Sequence, residues 1–176
     1  MGKGDERNTS LAAESAPGDV PQYDFVRAKH DDHFSAARIL FKEYAASLPI
    51  DLCFQDFEKE LNEISAQYNY PTGGLMLLTH SGMYIGCAGI RKFEIAIAEL
   101  KRMYIRPEHR GSGLGIILLQ KAIEFAKEKR YEKIRLDTLK SMTAAIGLYQ
   151  RFGFYPIEPY RFNPSEEVLY FELKIG

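Results

Sequence analysis

Glu99-Leu-Lys-Arg-Met-Tyr-Ile-Arg-Pro-Glu-His-Arg-Gly-Ser-Gly-Leu-Gly-Ile-Ile-Leu-Leu-Gln120 is the segment whose reading decides the fold. Its beginning alternates in character and ends on apolar Met103 and Ile105, so residues 99–105 are predicted to form a strand. Pro107 has no N–H for a ladder and stops it. Arg110, Gly111, Ser112, Gly113, Leu114 and Gly115 follow. Three glycines this close let the backbone turn sharply and approach a ligand. Residues 116–129 are predicted helical, with Ile116, Leu119, Ile123 and either Ala126 or Lys127 along one side. The N–H groups at the start of that helix lack intrahelical partners, and with the dipole behind them they suit an anion.

A glycine loop between strand and helix has several readings. The nucleotide P-loop needs Gly-Lys followed by Ser or Thr, which this chain lacks. The dinucleotide fingerprint needs its third glycine further on than Gly115. A tight structural turn is the plainest alternative. What fits is Arg or Gln, two residues, Gly, one residue, then Gly or Ala, met by Arg110, Gly113 and Gly115. This resembles the acetyl-CoA pyrophosphate loop of the GNAT family of N-acetyltransferases. A second segment supports the resemblance: Ala144-Ala-Ile-Gly-Leu-Tyr-Gln-Arg-Phe-Gly-Phe154. It is similar to the family's A-x-x-L-Y-x-x-x-G-F signature, with Ala145, Leu148, Tyr149, Gly153 and Phe154 in register.

Composition sets the bounds. The chain has 176 residues, of which 45% are hydrophobic, enough for one domain with a real core. A net charge of -1 gives no field for nucleic acid. No stretch approaches the ~18 apolar residues of a membrane span, and the first residues lack a secretory apolar region and a myristoylation pattern. Cys53 and Cys87 lie far apart and read as small buried residues in a reducing compartment, the cytoplasm. His30, His33, His80 and His109 suggest no metal site. Residues 1–22 are polar and aperiodic, an expected disordered arm or expression remnant before a single domain over residues 23–176.

Along that domain, residues 23–28 alternate as a first strand. Asp31 or Asp32 is expected to cap a helix reaching about Ser47, with Phe34, Ala37, Leu40, Phe41 and Tyr44 as its stripe. A second helix is predicted over residues 54–68. Residues 75–80 and 83–93 read as a hairpin around Ser81-Gly82, where Gly86 and Gly89 mark close packing or a bulge. After the central strand, loop and helix come a strand at residues 133–139 and a helix at 142–152, capped by Ser141 and closed by Gly153. Residues 154–157 and 168–175 supply two last strands. The order β-α-α-β-β-β-α-β-α-β-β implies an α/β chain with a mixed sheet and helices on both faces. That order matches the GNAT fold across residues 23–175.

The resemblance implies an acetyl-CoA-dependent N-acetyltransferase. Such a reaction must hold the pyrophosphate, polarise the thioester carbonyl, deprotonate an ammonium and protonate a thiolate. The loop from Arg110 through Gly111, Ser112, Gly113 and Leu114 to Gly115 is expected to hold the pyrophosphate. In the family, this strand and the one after the loop helix splay apart around the pantetheine arm, which implicates Met103, Tyr104 and Ile105. Glu99 stands eleven residues before Arg110, the offset of the general-base glutamate in histone-acetylating members. Glu94 and a water path are the other candidates, and a solvated strand-end charge is the plain alternative. Tyr149 is the expected proton donor to the thiolate, against a packed core tyrosine. Where many members carry a cofactor-contacting Asn, this chain has Met142, flanked by Ser141 and Thr143, either of which could substitute.

Arg91-Lys92 and Lys101-Arg102 are expected as solvated strand ends. Tyr44, Phe54, Tyr70, Tyr155, Tyr160 and Phe162 are expected mostly in the core, with some lining an acceptor pocket near Asp51 and Gln55. The expected acceptor is a small primary amine, with a peptide terminus or protein amine as alternatives. No metal, nucleic acid or membrane is expected, and family members are often dimers. A non-catalytic acyl-CoA-binding module and a pure interaction domain are the rival classes. Intact Glu99 and Tyr149 favour the enzyme over the first, and acetyl-CoA binding excludes the second.

Overall fold

Seven strands form one sheet: β1 (Tyr23–Arg27), β2 (Gly74–His80), β3 (Met83–Lys92), β4 (Ile97–Ile105), β5 (Lys133–Leu139), β6 (Tyr155–Ile157) and β7 (Val168–Lys174). Their spatial order is β1-β2-β3-β4-β5-β7-β6. The computed structural model describes residues 22–50, 52 and 56–176. The expected arm apart from Gln22, and Asp51, Cys53, Phe54 and Gln55, lie outside the described residues. The β4–β5 pairing is parallel and the others are antiparallel. A parallel pair needs a crossover, here α4 (Leu114–Glu128).

Strand alternation sorts the apolar residues onto two faces. Met76, Ala88, Ile90, Leu100 and Leu136 pack with α4 and with Tyr149 of α5 (Thr143–Arg151). Leu75, Leu77, Cys87 and Tyr104 pack with α1 (Asp31–Ala46), α2 (Phe57–Asn62) and α3 (Ile64–Gln67). The element order is the expected one, except that the second helix is two short ones. Glu63, at φ -101° and ψ 15°, breaks it, and Ile64 and Tyr68 beyond the break are fully buried.

Three helix details differ from expectation. His30, not Asp31 or Asp32, stands at the cap of α1, and His33 Nδ1 accepts the Lys29 N–H at 3.1 Å. The two aspartates occupy the first turn, where they complement the dipole. Ser141 does not cap α5, whose cap position is Met142. Helix α4 starts at Leu114 and buries Leu114, Leu118, Leu119, Ala122, Phe125 and Ala126. Ile116 and Ile123, two turns apart on one side of the helix, are half-buried on a flank of the face laid on β2, β3 and β4.

Gly86 and Gly89 serve the close packing expected of them, beside a β3–β4 register that shifts between Cys87 and Gly89. A Cβ on Gly89 would lie 2.5 Å from Cε1 of Tyr68, whose hydroxyl donates to Glu60 and whose ring is fully buried. Gly89→Ala is expected to destabilise the protein by about 1–3 kcal/mol, the usual range for overpacking. A urea midpoint equal to wild type would show that the Tyr68 ring yields freely.

Candidate active site

The site begins where β4 leaves β5. The two strands are in register only at Ile97 with Lys133, Ala98 with Ile134 and Glu99 with Arg135. Just beyond, β4 bulges. Cys87 faces Tyr104 and Gly89 faces Lys101, so Arg102 and Met103 together stand opposite Ala88. Arg102 takes the left-handed φ of 53° that such an irregularity demands. A bulge twists its strand, and this one lies just past the end of the β4–β5 pairing.

A cleft of about 500 Å³ occupies the opening. Met103, Tyr104 and Ile105 of β4 form one wall, and Ser141, Met142 and Thr143 with Leu148 and Tyr149 of α5 form the other. Arg110, Gly111, Leu114 and Gly115 lie at its end, beside the first turn of α4. Gly111 and Gly113 hold φ of 82° and 80°, and open space surrounds the position a Cβ would take at each. Glycine is thus needed there for backbone conformation, while the space in front stays free for an anion. The Arg110 Nε–H donates to the Ile105 carbonyl at 2.7 Å, which fixes the guanidinium 5.5 Å from the Tyr104 ring centre. Ser112 is turned away: its hydroxyl donates to the His109 carbonyl at 3.0 Å, closing the loop on itself. Ser141 lines the cleft although it caps no helix. The Met142 sulfur accepts the Thr138 hydroxyl at 3.6 Å.

A narrower chamber continues from this cleft between β4 and β5, sharing Tyr44, Leu48, Met103, Met142 and Tyr149 with it. Its described lining includes the polar groups of Lys101, Arg102, Asp137, Thr138 and Asn163. Lys101 and Arg102 are therefore not solvated strand ends. Lys101 is 4% exposed and Arg102 5%. Lys101 Nζ lies 3.0 Å from Asp137 Oδ1 across the gap, and Arg102 forks onto Glu60 of α2 at 2.5 Å. Burial first, and then the Arg102 and Arg91 guanidiniums, push Lys101 down to about 8 against the pull of Asp137. Burial pushes Tyr44 up to about 12 and Tyr149 well above the usual phenol range. Both phenols therefore keep their protons at neutral pH.

Glu99 is fully buried, yet it belongs to another arrangement. Cross-strand register lines up Arg91, Glu99, Arg135 and Glu172 over four strands. Arg91 meets Glu99 at 2.9 Å, and Arg135 meets Glu172 at 2.9 Å. Tyr160 donates to Glu99 Oε1 at 3.0 Å, and Arg161 pairs with the same oxygen. Glu99 lines a separate cleft below α2 and α3, and its nearest link to the chamber is Lys101 Nζ, 3.9 Å away. The structure thus joins Tyr149 to the glycine loop and does not bring Glu99 to them. Glu94 is more remote, with its side chain 57% exposed beside Arg135.

Of the aromatics expected in the core, Tyr70 and Phe162 are exposed. Tyr44 lines both cleft and chamber, and Tyr160 is tied to Glu99. Sequence reasoning missed Lys101, Asp137 and Asn163 as chamber residues. The available signal was the charge carried by two strands, Glu99, Lys101 and Arg102 on β4 and Lys133, Arg135 and Asp137 on β5, since a charge inside a sheet needs a partner. Among the described residues, no cluster suits a metal ion and no helix is long and apolar enough to cross a membrane.

Known proteins resemble this chain in sequence and in fold. Residues 37–154 match the family described as acetyltransferase (GNAT). An uncharacterized N-acetyltransferase of Schizosaccharomyces pombe is 32% identical over 96% of this chain and 96% of its own. A GNAT-family acetyltransferase structure from Staphylococcus aureus Mu50 superposes with a TM-score of 0.72 at 20% identity, covering 88% of this chain and 100% of that one. A Salmonella typhimurium acetyltransferase structure, described with its cofactor acetyl-CoA, gives a TM-score of 0.61 at 16% identity over 86% of this chain and 94% of that one.

Proposed function

Since this chain belongs to the GNAT family and is an acetyl-CoA-dependent N-acetyltransferase, we propose that it acetylates a small primary amine in the gap between β4 and β5. The observation that carries the proposal is the continuity of cleft and chamber, with Tyr149 on both. The cleft suits acetyl-CoA: an anion seat at the first turn of α4, apolar walls, and the β4 backbone exposed where β5 has left it. Acetyl-CoA supplies the thioester. Met103, Tyr104 and Ile105 bind its arm, the backbone of the loop Arg110, Gly111, Ser112, Gly113, Leu114 and Gly115 seats its pyrophosphate, and Ser141 lies alongside. Tyr149 holds the proton that the departing sulfur needs. The charge group of Glu99, Lys101 and Asp137 serves the acceptor's ammonium. The chamber is narrow and walled by Leu48, Ile50, Leu52 and Asn163, which favours a small amine over a folded protein.

A panel of small amines, amino acids and short peptides, read by thiol release from acetyl-CoA, tests the acceptor class. Turnover confined to peptides would sink the small-molecule reading. Gly113→Glu tests the cofactor seat. Its carboxylate would enter the open space in front of the loop and repel the pyrophosphate, at a φ of 80° that glutamate rarely adopts. Acetyl-CoA binding by calorimetry is expected to vanish in a folded variant. Wild-type affinity would place the pyrophosphate elsewhere.

A further inference from the structure

Lys101 is a buried amine that the glycine loop, the tyrosine signature and the Glu99 offset all leave out. Its side chain is 3% exposed, and it lines the chamber that Tyr149 also lines. It bridges the gap itself, from β4 to Asp137 on β5, at the level where the two strands have parted. We propose that Lys101 is the general base of this enzyme, taking the proton from the acceptor's ammonium, with Asp137 and Glu99 as the residues that position it. The proposal rests on the acetyl-CoA placement given above.

Position separates Lys101 from Glu99. The Glu99 oxygens receive Arg91, Arg161 and Tyr160, and the carboxylate faces a different cleft. Lys101 Nζ stands between Asp137 at 3.0 Å and Glu99 at 3.9 Å, on the chamber side. Chemistry agrees. A base for an ammonium works best with a pKa near the working pH, and burial is the usual means of bringing a lysine there. Groups on several described elements contribute to the balance. Asp137 from β5, Glu99 from β4 and Glu60 from α2 favour the charged amine. Burial, Arg102 from β4 and Arg91 from β3 oppose it, leaving Lys101 at about 8. Arg161 stands on the far side of Glu99, and the phenols Tyr44 of α1 and Tyr149 of α5 stay neutral over the same pH range.

The protons balance. Neutral Lys101 takes one proton from the acceptor's ammonium and later yields it to solvent. The freed amine forms its bond to the thioester carbonyl carbon as the carbon–sulfur bond breaks. The sulfur receives the Tyr149 proton, and the nitrogen's second proton restores the phenol. The products are the amide, the free thiol and one proton in solution.

Two measurements test this. The first follows the Lys101 side-chain resonance by nuclear magnetic resonance in lysine-labelled protein, assigned by its loss in Lys101→Arg. A midpoint near 8 is expected, against the ordinary lysine value of about 10.4. A midpoint at or above the ordinary value overturns the proposal, and this readout needs no acceptor. The second is single-turnover acetyl transfer with saturating acetyl-CoA and the amine giving most thiol release in the panel above. The wild-type rate should rise about tenfold per pH unit below 8 and level off above it, since only the neutral amine accepts a proton. Lys101→Arg keeps a charge for Asp137 but cannot titrate. It should lose that limb and about 10² or more of the rate. Lys101→Met serves as the second variant should the arginine not fit, with the unfolding midpoint as control. A variant with the wild-type rate and limb overturns the proposal. Acetyl-CoA calorimetry separates the two readings: no binding by the wild type removes the cofactor placement, whereas binding with an unchanged limb removes only Lys101.

Discussion

Tyr149→Phe is expected to slow single-turnover acetyl transfer by about 10²–10⁴-fold and to leave the melting temperature where it is. The ring lies 5.7 Å from that of Phe154, and the residue is 7% exposed, so phenylalanine keeps the packing. Only the hydroxyl is lost. Burial holds the phenol well above its ordinary range, which has two consequences. It stays protonated at every working pH, as a donor must. It is also too weak an acid to protonate a free thiolate (ordinary thiol about 8.5) unless the acceptor nitrogen gives up a proton to it in the same event. The effect should therefore fall on the chemical step, with acetyl-CoA affinity nearly unchanged. A chemical step as fast as wild type would make Tyr149 a packing residue.

Glu99→Gln is expected to cost about 3–5 kcal/mol of stability, the range for removing one partner of a buried ion pair. The amide still accepts from Tyr160, but Arg91 and Arg161 lose the charge that joins them. Arg161 is already pushed down to about 10, by burial first and by Arg91 next. With Glu99 neutral, the two guanidiniums would repel each other without a mediator. The urea midpoint should fall accordingly. The variant also discriminates between bases. Removing an anion 3.9 Å from Lys101 Nζ makes the charged amine less favourable, so the rate limb should move to lower pH. Were Glu99 itself the base, as its offset from Arg110 suggested, the limb would disappear instead of moving.

The charged row also explains why Glu99 was legible as a candidate but its surroundings were not. Arg91 and Glu99 are 8 residues apart and Arg135 and Glu172 are 37 apart, and without the pairing the other three read as surface charges. Strand pairing sets them side by side, a matter of register that no local pattern carries. A buried ion pair gives up hydration and is a weak source of stability, so a row of them is better understood as holding charges in defined places. The same holds for Lys101 with Asp137, 36 residues apart, which meet across the gap between β4 and β5.

Sequence by itself determined the architecture and brought out the glycine loop proposed as the cofactor end of the site. Alternation set which strands exist, proline and glycine set where they stop, and three glycines before an apolar helix mark the loop proposed as an anion seat. These are local properties, written in spacings of a few residues. Tyr149 was legible for the same reason, since its signature and its helix are contiguous. Tertiary structure alone decided the proposed acceptor end. It broke the second helix at Glu63, buried Lys101 and Arg102, and turned Glu99 into an ion-paired row beyond the chamber wall. Those outcomes depend on which distant strands become neighbours and how far two of them diverge. A charge in a strand is worth little in water and a great deal in a gap from which water is excluded.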